Sequence, residues 1–138
     1  PAVNPARPEE DAMYTVAVQQ ELIAQHYLIG GDFGPENQPH SHHYCVEARL
    51  TGRELDAHGF LVDIDALKAA LEAAIGRFRD RTLNDLPEFE GLNPSIEHLC
   101  RILARMLAAG MTFPGPGALR VTIRESPSAW AAYTRALP

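Results

Sequence analysis

Apolar and polar positions alternate from Tyr14 onward. Tyr14, Val16, Val18, Leu22, Ala24 and His26 share one parity, which predicts a long strand with one buried face. The next stretch, "LIGGDFGPENQP", is rich in Gly and Pro and reads as a loop. A second strand starts near His40, with His40, His42, Tyr44, Val46, Ala48 and Leu50 on one side. In both strands the histidines extend the apolar, core-facing row.

The period changes after "GFLVDI". Leu67, Ala70, Leu71, Ala74, Ile75 and Phe78 fall on one stripe of an amphipathic helix. A loop, "TLNDLPEFEGL", leads to "NPS", where Asn93 is placed to cap a second helix and Pro94 to occupy its first position. Ile96, Leu99, Cys100, Leu103, Met106 and Leu107 form that helix's buried stripe, so Cys100 reads as core. Strand alternation returns in "ALRVTIRE", turns at "SPS" and runs back through "AWAAYTR". The order ββααββ predicts an α+β fold, an antiparallel four-stranded sheet with both helices on one face. Residues 1–12, "PAVNPARPEEDA", lack apolar periodicity and are expected to be a flexible tail. Met13 is a candidate start, and residues 13–138 are expected to form a single domain.

With 138 residues and 46% apolar content, the chain can bury a real core. Twelve basic against eighteen acidic residues give a net charge of −6, and no run of Lys/Arg suggests a footprint for nucleic acid. No apolar run approaches the roughly 20 residues that cross a bilayer, and no signal peptide is recognisable, so a cytoplasmic location is expected. Cys45 and Cys100 fit neither a disulfide framework nor a Cys-x-x-Cys metal site.

Chemistry concentrates in "HSHHY", residues 40–44, which holds three of the six histidines. In an extended strand, residues i and i+2 project from one face about 7 Å apart. His40 and His42 can therefore converge on one ion, and His26 ends the neighbouring strand on the matching face. Zinc is the usual metal for such imidazoles, with three protein ligands and one open position in its catalytic form. Two solvated histidines at a strand start would show the same spacing. His43 projects to the other face as an exposed or hydrogen-bonding side chain. Glu125 continues the parity of Leu119, Val121 and Ile123, which predicts a carboxylate at the buried-side end of a strand. There it either meets a ligand's N–H edge or reaches water where the strand frays. Glu97 falls in the first turn of the second helix, where an acidic side chain suits the helix dipole.

Six segments in order resemble the 6-pyruvoyl-tetrahydropterin and 6-carboxytetrahydropterin synthase family: "IAQHYL", "HSHHY", "VDIDALK", "TLND", "NPSIEHL" and "VTIRES", spanning roughly Met13 to Tyr133. The resemblance implies a T-fold (tunnelling fold) subunit, a hexameric barrel with active sites between subunits, and a pterin substrate such as 7,8-dihydroneopterin triphosphate. It makes His26, His40 and His42 the zinc ligands, Glu125 the pterin anchor, and Glu97 with Ser95 the completion of the pterin pocket. The family's carboxytetrahydropterin branch belongs to deazapurine (queuosine) biosynthesis.

The chain departs from the family pattern at the proton carrier. Glu36 stands four residues before His40, where the carboxytetrahydropterin branch has a catalytic cysteine. Arg79-Asp80 stands where an Asp-His pair is usual, and His43 where asparagine is usual. A partly desolvated carboxylate near a cation can act as general base, so Glu36 and Asp80 become the candidate catalytic residues. Solvation in a Gly/Pro-rich loop is the plain alternative for Glu36. Family branches with a glutamate near this position resemble aldolases, leaving a hydroxymethyl group. The readings are therefore a zinc-dependent pterin lyase, its aldolase-like variant, or a pterin- or purine-binding module without turnover.

Overall fold

The computed structural model describes residues 12–138, so the expected tail over residues 1–12 lies outside the described residues apart from Ala12. Strand β1 spans Tyr14–His26 and β2 spans His40–Gly52, paired antiparallel along their whole length from Tyr14↔Gly52 to His26↔His40. Helix α1 spans Ile64–Gly76 and α2 spans Ile96–Gly110, followed by β3 at Gly117–Ser126 and β4 at Ala129–Leu137. The sheet order is β1-β2-β3-β4, all antiparallel, and both helices lie in the single connection between β2 and β3. The expected ββααββ order and layer arrangement are therefore observed.

Alternation decides the two faces. Val18, Leu22, Ala24, Tyr44, Val46, Ala48, Leu119, Val121 and Ile123 are buried on the inner face. They meet Leu67, Leu71 and Ile75 of α1 and Leu99, Leu103 and Leu107 of α2 in one core. Burying a side chain of this size contributes about 1.5–3 kcal/mol. Gly117 lets β3 press onto the Thr51 carbonyl, where a Cβ would collide with backbone. No helix among the described residues is long and apolar enough to cross a membrane.

Each helix is started by a side-chain cap. The Asp63 carboxylate accepts from the Asp65 and Ala66 N–H groups ahead of α1. The α2 cap is Ser95, whose hydroxyl accepts from the His98 N–H at 3.2 Å, and not the expected Asn93. The physical reason lies in tertiary bonding: the Asn93 side chain accepts from the Ile29 N–H, and the Pro94 carbonyl is taken by a histidine. The loop after β1 is also less irregular than its composition suggests, because Gly34–Asn37 forms one 3-10 turn opened by Pro35.

Candidate active site

His26 and His40 are register partners at one end of the sheet, and His42 follows His40 on the same face. Their rings form a near-equilateral triangle with centroids 4.6, 4.7 and 4.8 Å apart. His26, only 5% exposed, donates from Nδ1 to the Pro94 carbonyl at 2.8 Å. His40 donates from Nδ1 to the Gln38 carbonyl, also at 2.8 Å. These bonds fix the tautomer that leaves Nε2 with its lone pair, the usual outer-shell arrangement of metal-binding histidines. The His40 and His42 Nε2 atoms face each other at 3.1 Å, and one ligand atom from each ring lies within 4.8 Å of the others. Two nitrogen lone pairs at that range need a proton or a cation between them. The donor set therefore fits zinc, whose tetrahedral ligands sit about 2.0–2.1 Å from the ion.

Electrostatics disfavour protonation of two members of the cluster, His26 and His42. Burial is the largest influence on both His26 and His42 and holds each below the ordinary histidine value. His40 pushes both in the same direction and His42 does so for His26, while Glu36 near both and Glu125 near His42 oppose it. His42 stacks on Tyr44 at 5.2 Å, so its ring plane is set by the core beneath it.

His26 and His42 of the triad open into a cavity of about 360 Å³ whose wall includes Glu36, Ser95, Glu97 and Glu125. Glu36 reaches it from the 3-10 turn, whose backbone is fixed by the Leu28 N–H donating to the Glu36 carbonyl at 2.8 Å. Asn37 braces the same turn by donating to the Leu28 and Gly31 carbonyls. Glu36 is thus an exposed carboxylate on a held backbone.

Glu125 departs from expectation. It was expected at the buried side of β3, and the structure leaves it exposed at the cavity rim. Pairing passes from Arg124↔Trp130 to Ser126↔Ala129, so Glu125 is the extra residue of a bulge. A bulge re-aims a side chain and breaks strict parity. No buried charge needs relief, and the carboxylate stands free toward whatever enters the cavity.

Asp80 is not brought to this cavity. It follows α1 in the left-handed region (φ 58°), donates its N–H to the Ile23 carbonyl at 2.8 Å, and lines a separate cavity with Glu21, Ile23 and His43. His43 faces that side, 3.1 Å from Glu21, and Arg79 pairs with Glu72 at 2.8 Å. Neither cysteine lines the triad's cavity. Cys100 is buried, donates to the Ala131 carbonyl, and has its thiol pushed up to about 12 by burial.

Three supports escaped the sequence reading. Asn84 accepts from the Tyr27 N–H at 3.0 Å and donates to the Tyr27 carbonyl at 2.9 Å, clamping the residue after His26. The carbonyls of Pro94 and Gln38 hold the rings, and Trp130 walls the cavity. Only Asn84 left a trace, as the polar residue in "LND"; backbone acceptors leave none.

Residues 15–136 match the family model for 6-pyruvoyl tetrahydropterin synthase. A 6-carboxy-5,6,7,8-tetrahydropterin synthase of Bacillus subtilis is 25% identical over 134 residues, covering 91% of this chain and 90% of that protein. The 6-pyruvoyl tetrahydropterin synthase of Caenorhabditis elegans superposes with a TM-score of 0.78 at 22% identity, covering 90% and 96% of the two chains. The Plasmodium vivax 6-pyruvoyltetrahydropterin synthase, solved with a glutamate described as a catalytic residue replaced by alanine, has a TM-score of 0.76 at 16% identity. That match covers 92% of this chain and all of the other.

Proposed function

The chain belongs to the 6-pyruvoyl tetrahydropterin synthase family, a family of T-fold lyases, and on that premise we propose that it is a zinc-dependent lyase of 7,8-dihydroneopterin triphosphate or a close relative. The observation that carries the reading is a cluster of three imidazoles, His26 and His40 with their tautomers fixed, beside a cavity that also holds two exposed carboxylates, Glu36 and Glu125.

In this reading His26, His40 and His42 hold the metal through Nε2. Zinc bound there would supply Lewis-acid polarisation of the substrate's side-chain oxygen and so acidify the adjacent C–H. Glu125 accepts from the amidine-like N–H edge of the pterin, an interaction the bulge makes available because the carboxylate has no partner among the described residues. Ser95 and Glu97, at the start of α2, close the other side of the ring pocket. The Ser95 hydroxyl accepts the cap bond and keeps its own proton free to donate. Glu36 takes the proton from the side-chain carbon, the place of the missing cysteine, and its fixed backbone supports that part. A catalytic glutamate named for the Plasmodium vivax protein supports the same assignment.

Asp80 lies outside the cavity of its own subunit, so a catalytic part for it requires a neighbour. We place it at an inter-subunit site of a hexameric barrel, reaching the next subunit's cavity. The test incubates zinc-loaded protein with 7,8-dihydroneopterin triphosphate and identifies products by mass. A 6-carboxy, 6-pyruvoyl or 6-hydroxymethyl product supports the lyase reading and names its branch. Tight binding with unchanged substrate would make the chain a pterin-binding module instead.

A further inference from the structure

The sheet face turned away from the helices carries a further cavity, of about 290 Å³, built from charge rather than from imidazole. Arg49 of β2 and Arg120 of β3 stand directly opposite each other in the register, and Arg124 follows on the same side of β3. Like charges in direct cross-strand pairs repel. Among the described residues, the one carboxylate lining the cavity, Glu47, is already engaged by Arg49 at 3.0 Å and by Gln19 at 3.4 Å. Among the described residues, no carboxylate pairs with Arg120 or Arg124. Both guanidiniums lie against Trp130, with Cζ 5.3 and 5.7 Å from the ring centroid. A cation–π contact orients a guanidinium and leaves its N–H donors to be used elsewhere. Between the two arginines sits Thr122, a buried polar residue on the same face.

We infer that this groove binds an oligophosphate anion, held by Arg120 and Arg124 with the Thr122 hydroxyl between them. Guanidinium forks match phosphate oxygens two at a time, and a linked pair of phosphates spans two forks where a single small anion cannot. The local excess of positive charge stands out in a chain of net −6. Three dispersed arginines leave no run in the linear sequence, which is why the charge pattern alone did not suggest an anion site. Among the described residues the groove shares only Trp130 with the histidine cavity, where Glu36, Glu97 and Glu125 would repel the same anion. It does not depend on the proposed lyase reaction. Free polyphosphate and the phosphate tail of a nucleoside or pterin ester share the required chemistry.

Trp130, the only tryptophan, lines both this groove and the histidine cavity, so its fluorescence detects binding at either and the arginine variants assign it. Pyrophosphate and tripolyphosphate are titrated into zinc-loaded and zinc-stripped protein at constant ionic strength, with equilibrium dialysis of labelled pyrophosphate as an independent readout. Saturable binding of equal affinity in both preparations is expected. Arg120→Gln and Arg124→Gln should each weaken it about tenfold or more, as loss of a charge-assisted bond does, while Glu36→Gln leaves it unchanged. Circular dichroism verifies that the variants are folded, and Arg120→Lys should retain part of the affinity. GTP binding more tightly than tripolyphosphate supports the tail of an ester; equal affinity supports the free anion. Binding that requires zinc, that sodium chloride reproduces, or that survives the double Arg→Gln change overturns the inference.

Discussion

His42 and His43 are adjacent in sequence and live in opposite worlds. His42 points inward, stacks on Tyr44 and faces His40 across 3.1 Å. His43 points outward, is exposed, and meets Glu21 at 3.1 Å. The same division runs through the whole sheet: the inner face is an apolar layer ending in three imidazoles, and the outer face is a field of charge with three arginines in one groove. Period-two alternation lets one strand build two unrelated sites back to back. A one-residue displacement in β2 would exchange them.

The sharpest way to break this comparison is to change one histidine at a time. His42→Ala should lower zinc affinity by more than the roughly 10–100-fold typical of losing an outer-shell partner, and abolish turnover with it. His43→Ala should leave one zinc per chain and near-normal activity. Elemental analysis after zinc loading and gel filtration reads both. Equal zinc loss in the two variants would remove the inward triad from consideration.

Within the inner site, the carboxylates can be separated from the metal. Glu36→Gln should cut turnover by about 10²–10⁴-fold, the usual contribution of a positioned base, with zinc content unchanged. Glu125→Gln, acting on the ring and not on the proton, should show mainly as weaker pterin binding. If Glu36→Gln instead costs zinc, the glutamate is a ligand or a support of the triad, and the base must be sought elsewhere.

What the sequence showed and what it hid follow the same logic of local against non-local bonding. The strands and the histidine triad were legible because alternation and i, i+2 spacing are properties of the strand itself. His26 joined the pair only because β1 and β2 align at His26↔His40, a register the shared parity suggested. Glu125 was misplaced because parity counting cannot see a bulge, which depends on how β4 pairs. The α2 cap was read two residues too early because Asn93 and Pro94 are used by distant parts of the chain, Ile29 and His26. The arginine groove was invisible because Arg49 and Arg120 are neighbours only across strands.

The smallest effect expected is on the pH dependence of the metal-free protein. Burial, the leading cause, holds His26 below the ordinary histidine value of 6.5, and the Pro94 bond only partly offsets it. The unfolded chain therefore takes up a proton at a pH where the native imidazole remains neutral. Stability from this source is fully present above pH 6.5 and is lost as the pH falls through the depressed native value. Urea denaturation of the zinc-free protein at a series of pH values from 8 down should show the midpoint falling below neutrality. His26→Gln, which has no imidazole to protonate, should show a shallower decline. An unchanged slope in His26→Gln would mean that the buried ring at the end of β1 does not govern acid sensitivity, and that His42 or the carboxylates do.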